Sequence, residues 1–483
     1  MIAIDFHGGT LRLRGWRDVG WSQASVAGRM GGIPLVFDDR DDCFRCDAMW
    51  AGKLQAHLRE WDQEHFEIDS SSWWQWTAGP DPDWQPSLHD QRNIQLRPDQ
   101  NQAVSDFESG GRCGLLVMPT GTGKTVVAME CILRSRCSVL VVVPVRDLMY
   151  QWHEKIREAT GVDAGLIGDG VHRVSPISIA TYDSAAIHMP RIGDRFKMLV
   201  FDEVHHLSGA WRGDAARMST ATIRMGLTAT LPTDESRLQA LHTLVGPTLH
   251  QQTIGQAKGK TLAEYRVHRI AVSLNESERN AYRGLSETVQ EFVAEQRELD
   301  PTFRWEDIHK LSAAVDCEPE RSLAAQNAMR AYRAKQKIED QAEAKMRTLE
   351  DLFRLHNGQP VIVFTGTNVM ARAVSMRFMV PCLLSHCAKK ERREVLQRFA
   401  EGRYPVLVAN RVLDEGVDLP EVKTAIVLGG LSSQRQAIQR LGRVLRRGSR
   451  KETAVLYEIV ADGTNEVKRS RTRRRNDAYR KTS

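Results

Sequence analysis

Leu115-Leu-Val-Met118, Pro119-Thr-Gly-Thr-Gly-Lys-Thr125 and the helical pattern over 126–133 form the stretch that decides the fold. Four apolar residues of strand length run into two closely spaced glycines and then into a 3.6-period pattern, the order of strand, loop and helix that a phosphate-binding loop requires. In Thr120, Gly121, Thr122 and Gly123 the glycines let backbone N–H groups face phosphate oxygens. Lys124 reaches the β and γ phosphates, and the Thr125 hydroxyl suits Mg²⁺ at the positive helix N-terminus. Met118 stands where the longer pattern carries glycine, so the match is to the shortened Gly-Thr-Gly-Lys-Thr form. A glycine turn with a chance lysine is the plainer alternative, and the flanking strand and helix argue against it.

Outward from this loop, apolar runs at 115–118, 139–143, 177–180, 198–201 and 224–227 alternate with helical patterns, and the alternation resumes at 361–364, 406–409, 425–428 and 455–460. Such alternation predicts two parallel α/β sheets. Between them the segment 275–355 is rich in Ala, Lys, Arg, Glu and Gln. Asn275 with Glu278 offers a helix start there, and Met346, Leu349, Leu352 and Phe353 share one helical face. Residues 1–88 hold eight of the eleven tryptophans and end in the turn-rich Gly79-Pro-Asp-Pro-Asp83. The organisation expected is therefore an N-terminal domain over 1–88, a first α/β domain over 89–255, and a second over 256–483 that carries the helical insertion 275–355. The tryptophans either fill the core of the small first domain or stack on unpaired bases.

With 483 residues, 41% hydrophobic and 27% charged, the chain is an ordinary globular protein long enough for about three domains. It shows no apolar run of membrane-spanning length and no export signal, so the cytoplasm is the compartment expected. Eight cysteines are too few for a disulfide scaffold. Cys43 and Cys46 have metal-ligand spacing, but a second such pair is missing, so ordinary thiols are the simpler reading. The net charge is +6, yet the segment 468–483 alone holds eight basic side chains against Asp477. That tail is either a phosphate-binding arm or a solvated run.

Asp202 and Glu203 follow the apolar run 198–201, which puts two carboxylates at the carboxyl end of a strand, where α/β ligands bind. Asp202 suits Mg²⁺ and Glu203 suits orienting or deprotonating a water; a helix cap is the bland alternative. His205 and His206 are adjacent and do not face one metal centre. In Gln439-Arg-Leu-Gly-Arg-Val-Leu-Arg446, residues Gln439, Arg443 and Arg446 fall on one helical face, a cationic face suited to the charge of a γ-phosphoryl group.

Asp202-Glu-Val-His205 together with Leu227-Thr-Ala-Thr230 resembles the superfamily 2 helicases, and Val412-Leu-Asp-Glu-Gly-Val-Asp-Leu-Pro420, the Gln439–Arg446 run and Gly463-Thr-Asn-Glu466 most resemble the XPB-type DNA helicases. The resemblance covers about 94–475. It implies two tandem RecA-like motor domains, ATP and Mg²⁺ as cofactors, DNA as the track, 3′ to 5′ polarity and a monomeric motor. It further implies a role in DNA repair or transcription-linked remodelling, with a nuclease or repair factor as a second partner. By the same resemblance Arg97 and Gln100 meet the adenine, Gly416 and Asp418 sit by the nucleotide, and Thr228 and Thr230 couple hydrolysis to DNA. Pro144, Thr181 and Thr365 touch the DNA backbone, and the helical insertion takes the place of a thumb. Thr233-Asp234-Glu235 stands where the family has Arg-Glu-Asp, a departure that puts strand separation in doubt. The same motor would also serve a restriction or phage-defence system or a fork remodeller, and a protein of another class, an ATP-gated DNA clamp, would share its loops.

Overall fold

The computed structural model describes residues 2–62 except 19, 24 and 27–30, then 68–69, 94–257, 265–308, 311, 319–384, 386–410, 422–429 and 453–474. The chain divides into two units, Met1–Ala257 and a second that begins at Lys258.

The first unit opens on a five-stranded sheet of β1 (Ile2–His7), β2 (Thr10–Arg14), β3 (Val36–Asp38), β4 (Cys43–Asp47) and β5 (Ile68–Asp69), in the order β3-β4-β2-β1-β5. Alternation sets one face inward, and Ile2, Ile4, Leu11, Leu13, Trp16, Trp21 and Phe44 make its core. Trp16 and Trp21 are thus core residues, Trp50 is half-buried, and the other five N-terminal tryptophans lie outside the residues whose side chains are described. Cys43 and Cys46 sit three apart on one strand, so their side chains leave opposite faces and do not converge on one ion. Burial also pushes the Cys46 thiol up to about 12, away from the thiolate that binds metal. Asp38 and Asp41 beside Cys43 are already held by Arg45, with Arg40 on Asp38 and Arg12 on Asp41.

The same unit continues into an eight-stranded sheet ordered β13-β6-β12-β11-β7-β10-β8-β9. Its strands are β6 (Cys113–Val117), β7 (Val139–Val143), β8 (Gly165–Gly168), β9 (Val171–Arg173), β10 (Ile177–Thr181), β11 (Met198–Asp202), β12 (Ile223–Thr228) and β13 (Thr248–Gln251). All neighbours run parallel except the β8–β9 hairpin at the edge. The sheet is covered on both faces, which explains why β7 reads as unbroken valine and leucine. Val139, Val141 and Val143 pack under Ile132, Trp152 and Ile156, while Leu140 and Val142 pack under Tyr182, Met189 and Phe201.

The N-terminal sheet docks at the edge of this larger sheet where the strands begin. Met49 packs into the larger sheet's core, and Gly9 lies so close to Met218 that a Cβ there would meet its side chain at 2.7 Å. Gly193, just before β11, is similarly crowded by Phe6 and by the Met218 carbonyl.

The second unit holds a six-stranded, wholly parallel sheet of β14 (Tyr265–Val272), β15 (Val361–Thr365), β16 (Cys382–Leu383), β17 (Val406–Ala409), β18 (Thr424–Leu428) and β19 (Ala454–Ala461), in the order β14-β19-β18-β15-β17-β16. Two long helices, Glu276–Leu299 and Pro319–Gln341, pair around Phe292, Phe303, Ala325 and Ala328. Asn275 and Glu278 close a reciprocal cap at 2.8 and 2.9 Å. Helix Glu343–Leu355 then lays Met346, Leu349 and Leu352 on the sheet. The basic tail differs from a free arm: its first part lies in a helix, Asn465–Arg474, in which Ser470 is buried on Glu458 and Arg469 pairs with Glu339.

Candidate nucleotide site

The chemistry-bearing residues of the first unit gather where β6, β11 and β12 end. Parallel strands all deliver their carboxyl termini to one edge, so residues far apart in sequence meet there. After β6 the loop turns through Gly121 and Gly123, at φ +87° and +88°, and the helix Lys124–Ser135 starts at once. Gly123 is required twice over: its φ is left-handed, and a Cβ would meet the Gln100 amide at 2.3 Å. Thr122 is fully buried and its hydroxyl donates to the Pro119 carbonyl at 2.7 Å, which tightens the turn. The Lys124 ammonium donates to the Met118 carbonyl at 3.2 Å.

Arg97 and Gln100 are placed against this loop. Gln100 caps its own helix by accepting from the Arg97 N–H at 3.0 Å, and its amide donates to the Thr122 carbonyl, also at 3.0 Å. The Arg97 guanidinium donates to that same carbonyl. Both therefore brace the loop, and buried Gln100 keeps one N–H and one lone pair beyond these two bonds.

At the end of β11, Asp202 is only 6% exposed, with both carboxylate oxygens oriented. Oδ1 accepts from the Glu203 N–H at 3.0 Å and Oδ2 accepts from the Trp152 indole N–H at 2.9 Å, while the Tyr182 hydroxyl donates to the Asp202 carbonyl at 3.0 Å. Glu203 has a left-handed backbone, φ +50°, unusual for a residue with a Cβ. Its carboxylate lies 3.6 Å from His205 Nδ1, and that nitrogen lies 3.5 Å from the Thr228 hydroxyl at the end of β12. Thr228 donates onward to the Thr230 carbonyl at 2.9 Å, and the Thr228 carbonyl accepts from the Met118 N–H at 2.9 Å. His205 thus bridges Glu203 and the Thr-Ala-Thr segment, and Thr228 ties both to the glycine loop.

The donor set fits a nucleoside triphosphate with a divalent cation. Thr120 carries a buried hydroxyl with no hydrogen-bond partner among the described residues, at the loop whose backbone faces phosphate. Lys124 supplies the cation beside it, and Thr125 and Asp202 supply hard oxygen donors of the kind Mg²⁺ takes.

Sequence comparison gives this geometry a family. Residues 93–233 match the model described as type III restriction enzyme, res subunit, and residues 344–448 match the helicase conserved C-terminal domain. The chain is 36% identical over 387 residues to the DNA 3′-5′ translocase XPB2 of Sulfurisphaera tokodaii, covering 79% of this chain and 85% of that one. It belongs to the XPB family of superfamily 2 helicases. A putative DNA 3′-5′ helicase Rad25 of Halobacterium salinarum is 29% identical over 79% of this chain and 57% of its own length. The helicase domain of Pyrococcus furiosus Hef shares the fold at TM-score 0.55 and 18% identity, over 78% of this chain and 98% of that one. The two parallel sheets are accordingly RecA-like domains.

The remaining XPB-type positions divide. Thr181 spends its hydroxyl as the N-cap of helix Tyr182–Ile192, accepting from the Ser184 N–H, while Pro144 is half-exposed at the end of β7. Thr365 is fully buried, donating to the Thr367 carbonyl at 3.2 Å, so its hydroxyl faces the fold and not a ligand. Asp234, in the segment that departs from Arg-Glu-Asp, caps helix Glu235–Leu244 by accepting from Arg237 N–H at 3.0 Å and Ser236 Oγ at 2.5 Å. Gly416, Asp418, Gln439, Arg443 and Arg446 lie outside the described residues. Trp152, Tyr182 and the bridging role of His205 are the site features that reading the sequence missed. Each depends on a contact across the sheet, and no local pattern announces it.

Proposed function

We infer that this XPB-family chain is an ATP-driven DNA translocase of 3′ to 5′ polarity, acting in DNA repair or transcription-linked remodelling. The observation that carries the reading is the bridge Glu203–His205–Thr228, which connects the water-activating carboxylate to the segment that couples hydrolysis to DNA. Lys124 would hold the β and γ phosphates, with the loop N–H groups and the Thr120 hydroxyl beside it. Thr125 and Asp202 would hold Mg²⁺, which when bound neutralises charge on the phosphates. Glu203 would orient the attacking water and take its proton, and Trp152 would keep Asp202 in one rotamer while that happens. The γ-phosphoryl charge falls to Arg443 and Arg446, with Gln439, on the sequence argument above. Contacts to phosphates and not to bases are what a motor needs, because its track has every sequence. A nuclease or repair factor is the second partner this reading implies.

The test is steady-state ATPase activity of the wild type and Glu203→Gln, without nucleic acid and with single-stranded DNA, duplex, forked DNA or RNA. Strong stimulation by DNA, abolished in Glu203→Gln, is the expected result. Equal stimulation by RNA would overturn the assignment to DNA, and tight ATP-dependent retention of DNA with negligible turnover would favour a clamp.

A further inference from the structure

The second unit contains a pocket of about 760 Å³ between the helix Glu276–Leu299, the helix Pro319–Gln341 and the segment that follows β19. Arg279, Arg283, Lys335, Lys468 and Arg471 line it, against one carboxylate, Asp462. These cations come from three separate stretches of chain. Lys335 is the informative one. It is 7% exposed and its ammonium sits 5.1 Å from the Tyr282 ring centre. Its nearest carboxylate, Glu339 one turn further along the same helix, is shared with the Tyr282 hydroxyl at 2.7 Å and with Arg469. Burial pushes the Lys335 ammonium below its ordinary range, with the charge of Glu339 opposing and those of Arg469 and Lys468 adding to the fall. A half-compensated buried cation among like charges is costly, and an anion brought into the pocket would relieve that cost.

The lining chooses among anions. A cavity of this size exceeds a single inorganic phosphate and lies within the range of ligand pockets. An acidic peptide would seek apolar anchors, whereas Leu274 and Val467 are the only aliphatic side chains on this lining and the Tyr282 ring is already covered by Lys335; apart from Asp462 and Gly463 the rest is cationic, hydroxyl or amide. Lys468 and Arg471 of the last helix stand on this lining, and the sequence beyond them continues with Arg473, Arg474 and Arg475, a basic run that suits a long polyanion. We propose that this pocket is a DNA-contact site that takes the phosphodiester backbone of a strand through Arg279, Arg283, Lys335, Lys468 and Arg471. It rests on the DNA-translocase reading and uses none of Pro144, Thr181 or Thr365. A grip built from the helical insertion and the end of the chain would let the motor retain DNA by charge alone, independent of base sequence.

The experiment uses the full chain and a labelled 30-nucleotide DNA, single-stranded and duplex, with binding measured from 50 to 200 mM salt. Arg283→Ala/Arg471→Ala is the variant, since both side chains are exposed and the fold does not depend on them. The slope of log affinity against log salt should flatten by about 2, and affinity at the lowest salt should fall roughly tenfold or more. Basal ATPase without DNA should not change, and the DNA concentration for half-maximal stimulation should rise with kcat retained. Arg283→Lys/Arg471→Lys should keep the wild-type slope. Slopes and affinities equal to the wild type in the alanine variant would overturn the site while leaving the translocase reading intact. Polyglutamate binding that is lost in the variant while DNA binding is unchanged would overturn it in favour of an acidic protein. A wild type that neither binds DNA nor is stimulated by it would instead overturn the functional reading on which the site rests.

Discussion

Trp152 touches the catalytic edge through a single hydrogen bond, and that bond is on the one carboxylate assigned to the cation. Replacing it by Phe keeps an aromatic ring in the core beneath β7 and removes only the N–H that holds Asp202 Oδ2. Partners that orient a ligand typically change metal affinity by 10–100-fold when lost, so Trp152→Phe should raise the Mg²⁺ needed for half-maximal ATPase roughly tenfold. A Mg²⁺ titration at saturating ATP checks this, and an unchanged midpoint would show that the indole only fills space. Arg224 is a contrasting buried residue. Its guanidinium has no carboxylate among the described residues and instead donates to the carbonyls of Ala216, Ser219, Ala221 and Leu244 at 2.8–3.1 Å, so burial lowers its pKa to about 10. It closes the loops at the start of β12, the opposite end of the strand from Thr228. Arg224→Met leaves four buried carbonyls unpaired while removing a buried charge, and the net cost should be about 3 kcal/mol. Thermal unfolding should show it as a lower Tm, with KM for ATP unmoved.

At the scale of elements, the helical insertion and the second sheet are joined by a buried polar cluster. Lys345, at the start of helix Glu343–Leu355, meets Glu466 at 2.7 Å with both side chains fully buried, and Asp340 and Glu339 approach from the preceding helix. Burial raises Asp340 to about 6, the charges of Lys345 and Arg469 opposing and those of Glu466 and Glu339 adding to the rise. A carboxyl whose folded pKa lies above its unfolded value gives stability that is complete below about pH 4 and lost as pH rises through 6, here about 3 kcal/mol. Asp340→Asn should abolish that dependence and stabilise the protein at pH 7.5, as denaturant titrations at pH 4.5 and 7.5 would show. Of these elements the sequence made the central strands legible, because strands buried on both faces read as continuous apolar runs. It hid β14, where Tyr265-Arg-Val-His-Arg-Ile-Ala-Val272 mixes cations into a half-exposed edge strand. It hid the β8–β9 hairpin too, whose three- and four-residue strands are too short for a period to show. In the site, Lys124, Asp202 and Glu203 were legible because strand-end position and residue type suffice. His205 was not, since its role exists only once β11 and β12 lie side by side.

For the whole molecule, the distribution of charge and the way the chain closes are linked. The excess of positive charge sits at the C-terminus, yet its first residues do structural work: Glu466 is the counter-ion of fully buried Lys345, Ser470 bonds Glu458 at 2.9 Å, and Arg469 engages Glu339. Truncation should therefore be sharply asymmetric. A chain ending at 474 loses Arg475, Arg480, Lys481 and Asp477, falling from net +6 to +4, and keeps every one of these buried partners. It should unfold within a few degrees of the full chain and bind DNA with a shallower salt dependence at most. A chain ending at 464 strands Lys345 as an uncompensated buried charge, and breaking a buried pair from one side costs about 3–5 kcal/mol, a large part of a domain's stability. The expected result is loss of cooperative unfolding in the second unit. Lys345→Met in the chain ending at 464 removes the orphaned charge and should recover part of the loss. If both truncations unfolded alike, the Lys345–Glu466 pair would not be what ties the end of the chain to the helical insertion.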